Sequence, residues 1–473
     1  MSASPINPNA AADSQSSGEE LASALDLLSA LIKAPEQQEL LDPDQRETTK
    51  MVYTNAVTLW MLILQRLGGG TSLSEVVGEA LSHGHELFPD NKRVREKTLS
   101  ENSGTYAQAR KRLPLKTILE FSERVCHHLG QISEPVIDGR RVFILDGTTI
   151  TLAPTDALRE AYPPAPNQHG DSVWPVAQLM VANEMQSGCA LLPQIDPMYG
   201  ENNASEAVQA HRIVRELPAE SMVMADSGFG IYSVAHHAIA AKHDFLLCLT
   251  KCRFKSFRRN AELIDKGPAH KTYHLFWRPT AKDRKSTPGL SAQASIEVVL
   301  HEVELSSDET LYLASNLELD APTAATVYCR RYDVEFDIRD LKVTMDAENI
   351  RAKSVEMFKK ELYTSVVAYN LVAQFRRQAA QLARVKPRRL SFKGVWTTMK
   401  YRLLLQPACS LDEWTERYAD ALHHASKRKH PNRKQPRSYP RKAHTRRQKS
   451  TKFMKAQRNK KPKDESPPPE KPK

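Results

Sequence analysis

Residues 141–149 read Arg-Val-Phe-Ile-Leu-Asp-Gly-Thr-Thr, and residues 222–228 read Met-Val-Met-Ala-Asp-Ser-Gly. Runs of four to eight apolar residues that end at Asp and Gly are typical of buried strands in a mixed or parallel sheet. The two runs therefore predict two buried strands with Asp146 and Asp226 at their ends. Taken alone, each aspartate is more simply explained by turn chemistry, because Asp-Gly and Asp-Ser-Gly are common chain reversals.

A third carboxylate belongs to the segment 328–342, which has Tyr, Arg, Glu and Lys at offsets 0, 3, 7 and 14. An α-helix turns by about 100° per residue, so these four side chains would lie within an arc of roughly 60°. The same segment carries an apolar stripe typical of a helix packed on a core: Val334, Ile338, Leu341 and Met345. By pattern alone, a charged face of this kind is more often an ordinary solvated helix surface.

Three carboxylates, two at strand ends and one on a helix, are the ligands that a two-metal phosphoryl-transfer site needs. Two Mg²⁺ or Mn²⁺ ions about 3.5–4 Å apart activate a water or a 3′-hydroxyl and stabilise the leaving oxygen. Hard oxygen ligands favour these cations over zinc. Arg and Lys beside the carboxylate suit phosphate oxygens. The three sites together indicate metal-dependent chemistry on phosphate groups.

These motifs resemble those of the DDE transposases of the IS4 group. The resemblance rests on Leu-Asp-Gly-Thr-Thr around Asp146, Ala-Asp-Ser-Gly-Phe around Asp226, and an ungapped Tyr-x2-Arg-x3-Glu-x6-Lys signature at 328–342. Residues 104–110 and the helical segment 60–77 are also similar to that group, and the resemblance covers about residues 50 to 410. Ser227 departs from the pattern, since many relatives have a basic residue there.

The resemblance implies an α/β fold with a ribonuclease H-like catalytic core. It makes Asp146, Asp226 and Glu335 the catalytic metal ligands for two Mg²⁺ or Mn²⁺ ions. It places the remaining three signature side chains on the phosphates of the transposon end: Tyr328, Arg331 and Lys342. The implied function is cut-and-paste transposition of an insertion sequence, with strand cleavage at the transposon ends and strand transfer to target DNA. Double-stranded DNA is the implied partner, bound by a homodimer without a nucleotide cofactor.

Asp226 and Glu335 are 109 positions apart, far more than a strand-to-helix connection needs. We therefore expect an insertion in the catalytic domain. The expected parts of the chain are a disordered lead (1–19), a helical domain that binds DNA ends (20–135), a ribonuclease H-like catalytic domain (136–250 and 324–390), a β-rich insertion (251–323), a helical C-terminal region (391–426) and a disordered basic tail (427–473).

Periodicity also predicts individual elements. The expected helices are 21–31, 51–67, 73–81, 115–129, 204–216, 231–242, 354–385 and 411–424. The expected strands, besides the two that end in aspartate, are 173–183, 189–194, 245–249, 296–305 and 311–317. In the insertion, Trp277 is a candidate to stack on an extruded DNA base, although an aromatic residue of this kind more commonly packs a core.

The tail carries most of the basic charge. Residues 427–473 contain 19 Lys and Arg against 3 Asp and Glu, so they contribute +16 to a net charge of +11, and residues 1–426 carry −5. A Pro-rich, basic segment without periodicity suits salt-sensitive attraction to the phosphate backbone. The equally weighted alternatives are a solubilising extension or a tail that collects RNA. Basic segments at 376–377 and 386–389 could also lie along DNA, or form exposed helix faces.

The six cysteines are scattered, which is typical of reduced thiols in a cytosolic protein. Residues 1–20 lack the apolar core of a signal peptide, and no apolar run reaches the length of a membrane span. We therefore expect a cytoplasmic, nucleoid-associated prokaryotic protein with no membrane partner.

Two other functions are compatible with the motifs. One is a metal-dependent nuclease of the same fold without strand transfer, and the other is a catalytically inert DNA-end-binding derivative. Ser-His-Asp hydrolysis is a poor competitor, because no Gly-x-Ser-x-Gly turn stands between a strand and a helix.

Overall fold

The computed structural model describes residues 21–22, 40–41, 51–83, 88–167, 170–287, 289–306, 309–406 and 409–431. The expected lead, the tail beyond residue 431 and most of the expected helix at 21–31 lie outside these residues. Leu21–Ala22 forms a short strand, β1, which pairs with Cys409–Ser410, so these two residues are not helical as predicted. No helix in the described parts of the chain has the length and apolar character needed to cross a membrane.

Helices occupy the described chain before the main sheet, and their order is α1 (Asn55–Leu67), α2 (Leu73–His83), α3 (Lys92–Arg95), α4 (Gly104–Arg112) and α5 (Leu115–Gln131). The first begins at Thr54, whose side chain accepts a hydrogen bond from the Val57 amide at 3.2 Å, as an N-cap should. It ends at a glycine turn in which Gly69 and Gly70 have φ of 85° and 73°, a region that favours glycine. The helices predicted at 51–67, 73–81 and 115–129 are confirmed.

The main sheet contains ten described strands. The strands are β2 (Arg141–Thr151), β3 (Pro164–Asn167), β4 (Gly170–Glu184), β5 (Gln194–Pro197), β6 (Ser221–Ala225), β7 (Asp244–Cys248), β8 (Glu262–Lys266), β9 (His270–Trp277), β10 (Ile296–Glu304) and β11 (Thr310–Ser315), with the short β12 (Cys409–Ser410) outside it. Their order is β3-β4-β2-β6-β7-β11-β10-β9-β8, with β5 also paired to β4. The pairs β2–β6 and β6–β7 are parallel and all the others are antiparallel.

Helices between and after these strands are α6 (Asp156–Ala161), α7 (Glu206–Arg215), α8 (Tyr232–Ala240), α9 (Lys251–Arg258), α10 (Ala281–Ser286), α11 (Ala321–Tyr328), α12 (Asp333–Arg339), α13 (Val355–Leu382), α14 (Phe392–Met399) and α15 (Leu411–Ser426). The expected helices at 204–216, 231–242, 354–385 and 411–424 are confirmed. So are the strands at 141–149, 173–183, 222–225, 245–249, 296–305 and 311–317.

The central parallel strands are buried on both faces. Phe143 and Leu145 of β2 pack in a core with residues of α7 and α8. Val142 and Ile144 point the other way and pack in a second core with Val334 of α12. A strand covered on both sides has a continuous apolar sequence, which is why residues 142–145 show no alternation.

The segment after β7, residues 251–323, does not form a separate sheet. Strands β8 to β11 pair in an antiparallel order, and β11 then pairs with the core strand β7 through Leu313 and Cys248. The chain between residues 251 and 323 thus extends the core sheet at the β7 edge.

One predicted strand, at 189–194, is wrong. The structure has only an isolated bridge between Asn183 and Ala190, and β5 begins at Gln194. The side chain of Asn370 on α13 binds both the amide and the carbonyl of Ala190, each at 2.7 Å. A side chain therefore satisfies the backbone groups that a strand would have paired.

The signature segment is helical but is not one regular α-helix. It continues from α11 through a 3₁₀ turn (Cys329–Tyr332) and α12 into a π-helix (Asp340–Thr344). The 3₁₀ turn has three residues per turn, so Tyr328 and Arg331 come to the same side. In the π turn the Met345 amide donates to the Asp340 carbonyl at 3.0 Å, five residues back.

Candidate active site

Two aspartates lie at one edge of the sheet because β2 and β6 are parallel. The last pair between these strands is Ile144 with Met224. Asp146 is two residues beyond that pair, and Asp226 follows β6 directly. The Asp146 carboxylate accepts a hydrogen bond from the Gly147 amide, and the Asp226 carboxylate accepts one from the Gly228 amide, each at 2.8 Å. The turn after β6 thus orients Asp226, whereas Asp146 lies within β2, which continues to Thr151, and not at a strand end as predicted.

The loop that carries Asp226 is packed tightly against the end of β7. A Cβ added at Gly230 would collide with the carbonyl of Cys248, so only glycine fits there. Arg253 of α9 donates to the Gly230 carbonyl at 2.5 Å. The sequence interpretation missed both contacts, and the only signal was the second glycine of Gly-Phe-Gly at 228–230.

The signature helix lies across the face of β2 that carries Asp146. Side chains alternate along a strand, so Ile144, Asp146 and Thr148 share one face. Val334 packs in the same core as Ile144. The ammonium group of Lys342 donates to the Thr148 hydroxyl at 3.2 Å and to the Thr149 carbonyl at 2.7 Å. Asp146 therefore lies between the two places where this helix meets β2.

Arg331 and Tyr328 are the buried members of the signature. Arg331 is only 9% exposed, donates to Glu335 at 3.1 Å and stacks over the Tyr332 ring at 4.3 Å. Burial, with the neighbouring Cys248 thiol, raises the pKa of the Tyr328 phenol far above its ordinary value. Tyr328 is thus a neutral hydroxyl group, and Arg331 is the buried cation beside Glu335.

The pKa of Asp146 depends on the other charged groups of the site. The pKa of the Asp146 carboxyl is raised to about 6, chiefly by burial. The bond from Gly147 and the charge of Arg331 act to lower this pKa, and the negative charges of Asp226 and Glu335 act to raise it. A carboxyl group responds in this way to charges only a short distance away. The structure therefore brings the three predicted carboxylates and Arg331 into one electrostatic neighbourhood.

Three carboxylates are the right donors for Mg²⁺ or Mn²⁺, since both cations prefer hard oxygen ligands. In the described chain, however, no three His, Cys, Asp or Glu side chains are close enough together to hold a metal ion as they stand. Glu335 accounts for part of this spacing, because its carboxylate is turned to Arg331 while 56% of the side chain is exposed. The donor chemistry fits the metal, and the free orientation of Glu335 leaves it able to turn.

Trp277 is a core residue. It is 3% exposed and packs against Tyr232 at 5.8 Å and Phe257 at 5.1 Å between ring centroids. Its ring is covered by these neighbours, so the geometry supports the packing role and not stacking on a DNA base.

The basic segments at 376–377 and 386–389 are corrected in part. Arg376 is 4% exposed and donates to the Ser187 carbonyl at 2.6 Å. Arg388 makes two bonds of 2.7 Å to the carboxylate of Asp337, which is 1% exposed. Arg388 thus holds the inner side of the signature helix, whereas Arg376 binds the turn after β4, and neither belongs to an exposed basic helix face.

Asp146→Asn is expected to stabilise the metal-free protein above pH 6. An acid whose pKa is raised from 3.8 to about 6 on folding destabilises the charged folded state above that pKa, and this cost disappears below pH 4. The shift of roughly two units, discounted for partial exposure, corresponds to about 1–2 kcal/mol. Thermal unfolding in EDTA should show a gain at pH 7.5 that fades by pH 4. A gain that is equal at both pH values would contradict the assignment.

Comparison with known proteins finds one domain family to which the segment carrying this site is similar. Residues 137–371 match the family model described as a transposase DDE domain. A search of curated proteins finds no match. Among solved structures, the cryo-EM structure of a piggyBac transposase synaptic complex with hairpin DNA is similar to this chain, with 11% sequence identity. The similarity covers 84% of this chain and 82% of that chain. Its TM-score is 0.38, so no argument is based on it. The matched segment includes Asp146, Asp226 and Glu335. Residues 137–371 are thus similar to a transposase DDE domain.

Proposed function

We propose that the protein is a DNA transposase of the IS4 group that performs metal-dependent cut-and-paste transposition of an insertion sequence. The observation that supports the proposal is the placement of Asp146 and Asp226 just beyond the last pair of the parallel strands β2 and β6, with Glu335 on the helix that packs across β2, in a segment that matches a transposase DDE domain. Double-stranded DNA is the substrate, both as transposon ends and as target. The protein acts as a homodimer on DNA, in the nucleoid of a prokaryotic cell.

We further propose that the core is ribonuclease H-like. Its support is the series β2, β4, β5, α7, β6, α8 and β7, which is three antiparallel strands followed by helix, strand, helix and strand once the short α6 and β3 between β2 and β4 are set aside. The first aspartate lies on the opening strand, the second follows the fourth strand, and the glutamate lies on a later helix. These are the positions that the resemblance led us to expect.

The roles that we propose for the side chains come from the resemblance and are compared here with their present contacts. Asp146, Asp226 and Glu335 hold the two divalent cations, which supply Lewis-acid activation of a water or a 3′-hydroxyl. Glu335 must leave Arg331 to do so, and Arg331 is then free to donate to phosphate oxygens. The neutral phenol of Tyr328 donates to the same phosphate group. The resemblance also implies that Lys342 contacts a phosphate of the transposon end.

DNA cleavage and joining by the purified protein test the proposal. The substrate is duplex DNA that carries the inverted repeats flanking the coding region, with a scrambled duplex as its control. We expect Mg²⁺-dependent release of a 3′-hydroxyl at the repeat and its joining to a target plasmid. Cleavage without joining would indicate the nuclease alternative, and specific binding without cleavage would indicate the inert DNA-end binder.

A further inference from the structure

A fourth carboxylate, that of Glu206, lies beside the strand that carries Asp146. If Gly147 had a Cβ, that atom would collide with the Glu206 carboxylate, whose carbon Cδ is 3.0 Å from the Cβ position. The carboxylate therefore occupies the space that the side chain of any other residue at 147 would take. Gly147 directly follows Asp146 and donates its amide hydrogen to the Asp146 carboxylate. Glu206 thus borders a proposed metal ligand, although neither the motifs nor the resemblance singled it out.

Glu206 lies on the side of α7 that faces the sheet. The helix begins at Ser205, whose side chain accepts a hydrogen bond from the Val208 amide at 3.4 Å. Positions three, four and seven residues after Glu206 lie on the same side of the helix, and all three are buried: Gln209, Ala210 and Ile213. Glu206 itself is exposed, because it occupies the first turn, at the edge of the sheet. An inward-facing carboxylate at this edge can bind a cation without the cost of burying its charge.

The edge of β2 is open where Glu206 approaches it. Strand β6 pairs with β2 only as far as Ile144, whereas β2 continues to Thr151, so the described strands leave this edge unpaired beyond Ile144. The signature helix covers the face of β2 that carries Asp146, and α7 covers the face to which Gly147 belongs. No described strand separates the two faces at the open edge. Carboxylates from both faces can therefore reach the same cation there.

The contacts at Gly147 limit the separation of the Asp146 and Glu206 carboxylates. Asp146 Oδ1 is 2.8 Å from the Gly147 amide nitrogen, and Glu206 Cδ is 3.0 Å from the Cβ position of the same glycine. Standard bond lengths then place the Glu206 carboxyl carbon within about 8 Å of the Asp146 oxygen. Two cations about 3.5–4 Å apart, each roughly 2.1 Å from its oxygens, allow ligands on opposite sides to be separated by about that distance. The backbone therefore needs no movement for both carboxylates to bind a two-cation site.

We propose that Glu206 is a fourth carboxylate ligand of the divalent cations and binds them from the α7 side of β2. The inference rests on the proposed function and deepens it. A fourth negative ligand raises the affinity for a divalent cation, because affinity depends on the charge of the ligand set. The assignment also explains the glycine at 147, since a Cβ there would displace the Glu206 carboxylate. An acidic residue in the first turn also stabilises its helix through the macrodipole, but that role needs no metal.

Two substitutions test the assignment. Glu206→Gln keeps the length of the side chain and removes its charge, and Gly147→Ala adds the Cβ that would displace the carboxylate. Glu216→Gln is the matched control, because Glu216 is exposed and lies at the other end of the same helix. Asp146→Asn serves as the reference for the loss of a ligand. Thermal unfolding of each variant in EDTA shows first that it is folded.

The first readout is the rise in unfolding temperature of the full chain, without DNA, as Mn²⁺ is added. A cation that binds only the folded protein stabilises it according to its affinity, so the rise gives an apparent Kd. Loss of a group that holds or orients a bound metal weakens binding by about 10–100-fold. We therefore expect the Kd to rise at least about tenfold for Glu206→Gln and for Gly147→Ala, and to stay unchanged for Glu216→Gln. Adding Glu206→Gln to Gly147→Ala should weaken binding no further, because the same carboxylate is already displaced.

The second readout is the Mg²⁺ concentration at half-maximal cleavage of the repeat duplex, which Glu206→Gln should raise. A helix-dipole role would instead lower the unfolding temperature of Glu206→Gln equally with and without Mn²⁺. That result, or a Glu206→Gln variant whose Mn²⁺ affinity and Mg²⁺ requirement both equal those of the wild type, would overturn the fourth ligand. A loss of both in Asp146→Asn would then leave the proposed function intact. If Asp146→Asn also binds Mn²⁺ as the wild type does and the wild type cleaves nothing, the proposed function fails, and the fourth ligand fails with it.

Discussion

Glu335→Gln is expected to reduce cleavage of the transposon end by about 10³-fold or more while DNA binding is retained. A metal ligand contributes several kcal/mol of transition-state stabilisation, and about 1.4 kcal/mol corresponds to a factor of ten in rate. Glutamine has the same shape and can still accept the bond from Arg331 that the structure shows at 3.1 Å. Only the negative charge is lost, so the fold and the helix position should be unaffected.

The assay compares initial cleavage rates in saturating Mg²⁺, with binding of the same duplex measured in EDTA. Glu348→Gln is the matched control, since Glu348 is exposed and lies just beyond the π turn. Binding by Glu335→Gln should be equal to or slightly tighter than that of the wild type, because a negative charge near phosphate is removed. Equal cleavage rates for Glu335→Gln and the wild type would remove Glu335 from the site.

The candidate site was predictable because it depends on local rules. Buried parallel strands give uninterrupted apolar runs, so the positions of Asp146 and Asp226 at the ends of such runs could be read from the sequence. Helix starts were equally accessible, since Ser205 and Ser410 cap their helices through side-chain bonds to the backbone. The three carboxylates could be assigned together only through the resemblance, because nothing local relates residues 109 positions apart.

The features that could not be predicted depend on distant partners. A basic run such as 386–389 suggests a DNA-binding surface, yet Arg388 is committed to Asp337, which is 51 positions earlier in the chain. The strand expected at 189–194 is replaced by the bonds from Asn370, 180 positions away. The 3₁₀ and π turns escaped notice because helical periodicity assumes a constant 3.6 residues per turn.

Of the residues in the helical part of the protein, Glu361 is the one whose substitution we expect to lower the free energy of unfolding most. It is 4% exposed on α13 and accepts bonds from Arg66 of α1 at 2.7 Å and from Arg110 of α4 at 2.5 Å. Both arginines are buried, with 3% and 6% exposure. One carboxylate therefore compensates two buried cations and joins the N-terminal helices α1 and α4 to the long helix α13.

Glu361→Gln is expected to lower the free energy of unfolding by about 3–5 kcal/mol, because it leaves two buried guanidinium groups without an opposite charge. Burial already lowers the pKa of Arg66, the nearby Arg110 lowers it further, and Glu361 opposes both effects. The urea midpoint should fall, and limited proteolysis should cut first in the N-terminal helices as they detach. Glu416→Gln, an exposed change on α15, is the control and should shift the midpoint little.

A triple variant tests the cause of that loss. Methionine at Arg66, Arg110 and Glu361 removes the charges together, and apolar replacement of a buried ionic triad is commonly neutral or stabilising. We therefore expect the triple variant to be more stable than Glu361→Gln, although it carries two more substitutions. If Glu361→Gln costs less than about 1 kcal/mol, the range of an exposed pair, then water reaches the two arginines and the triad does not hold the helices together.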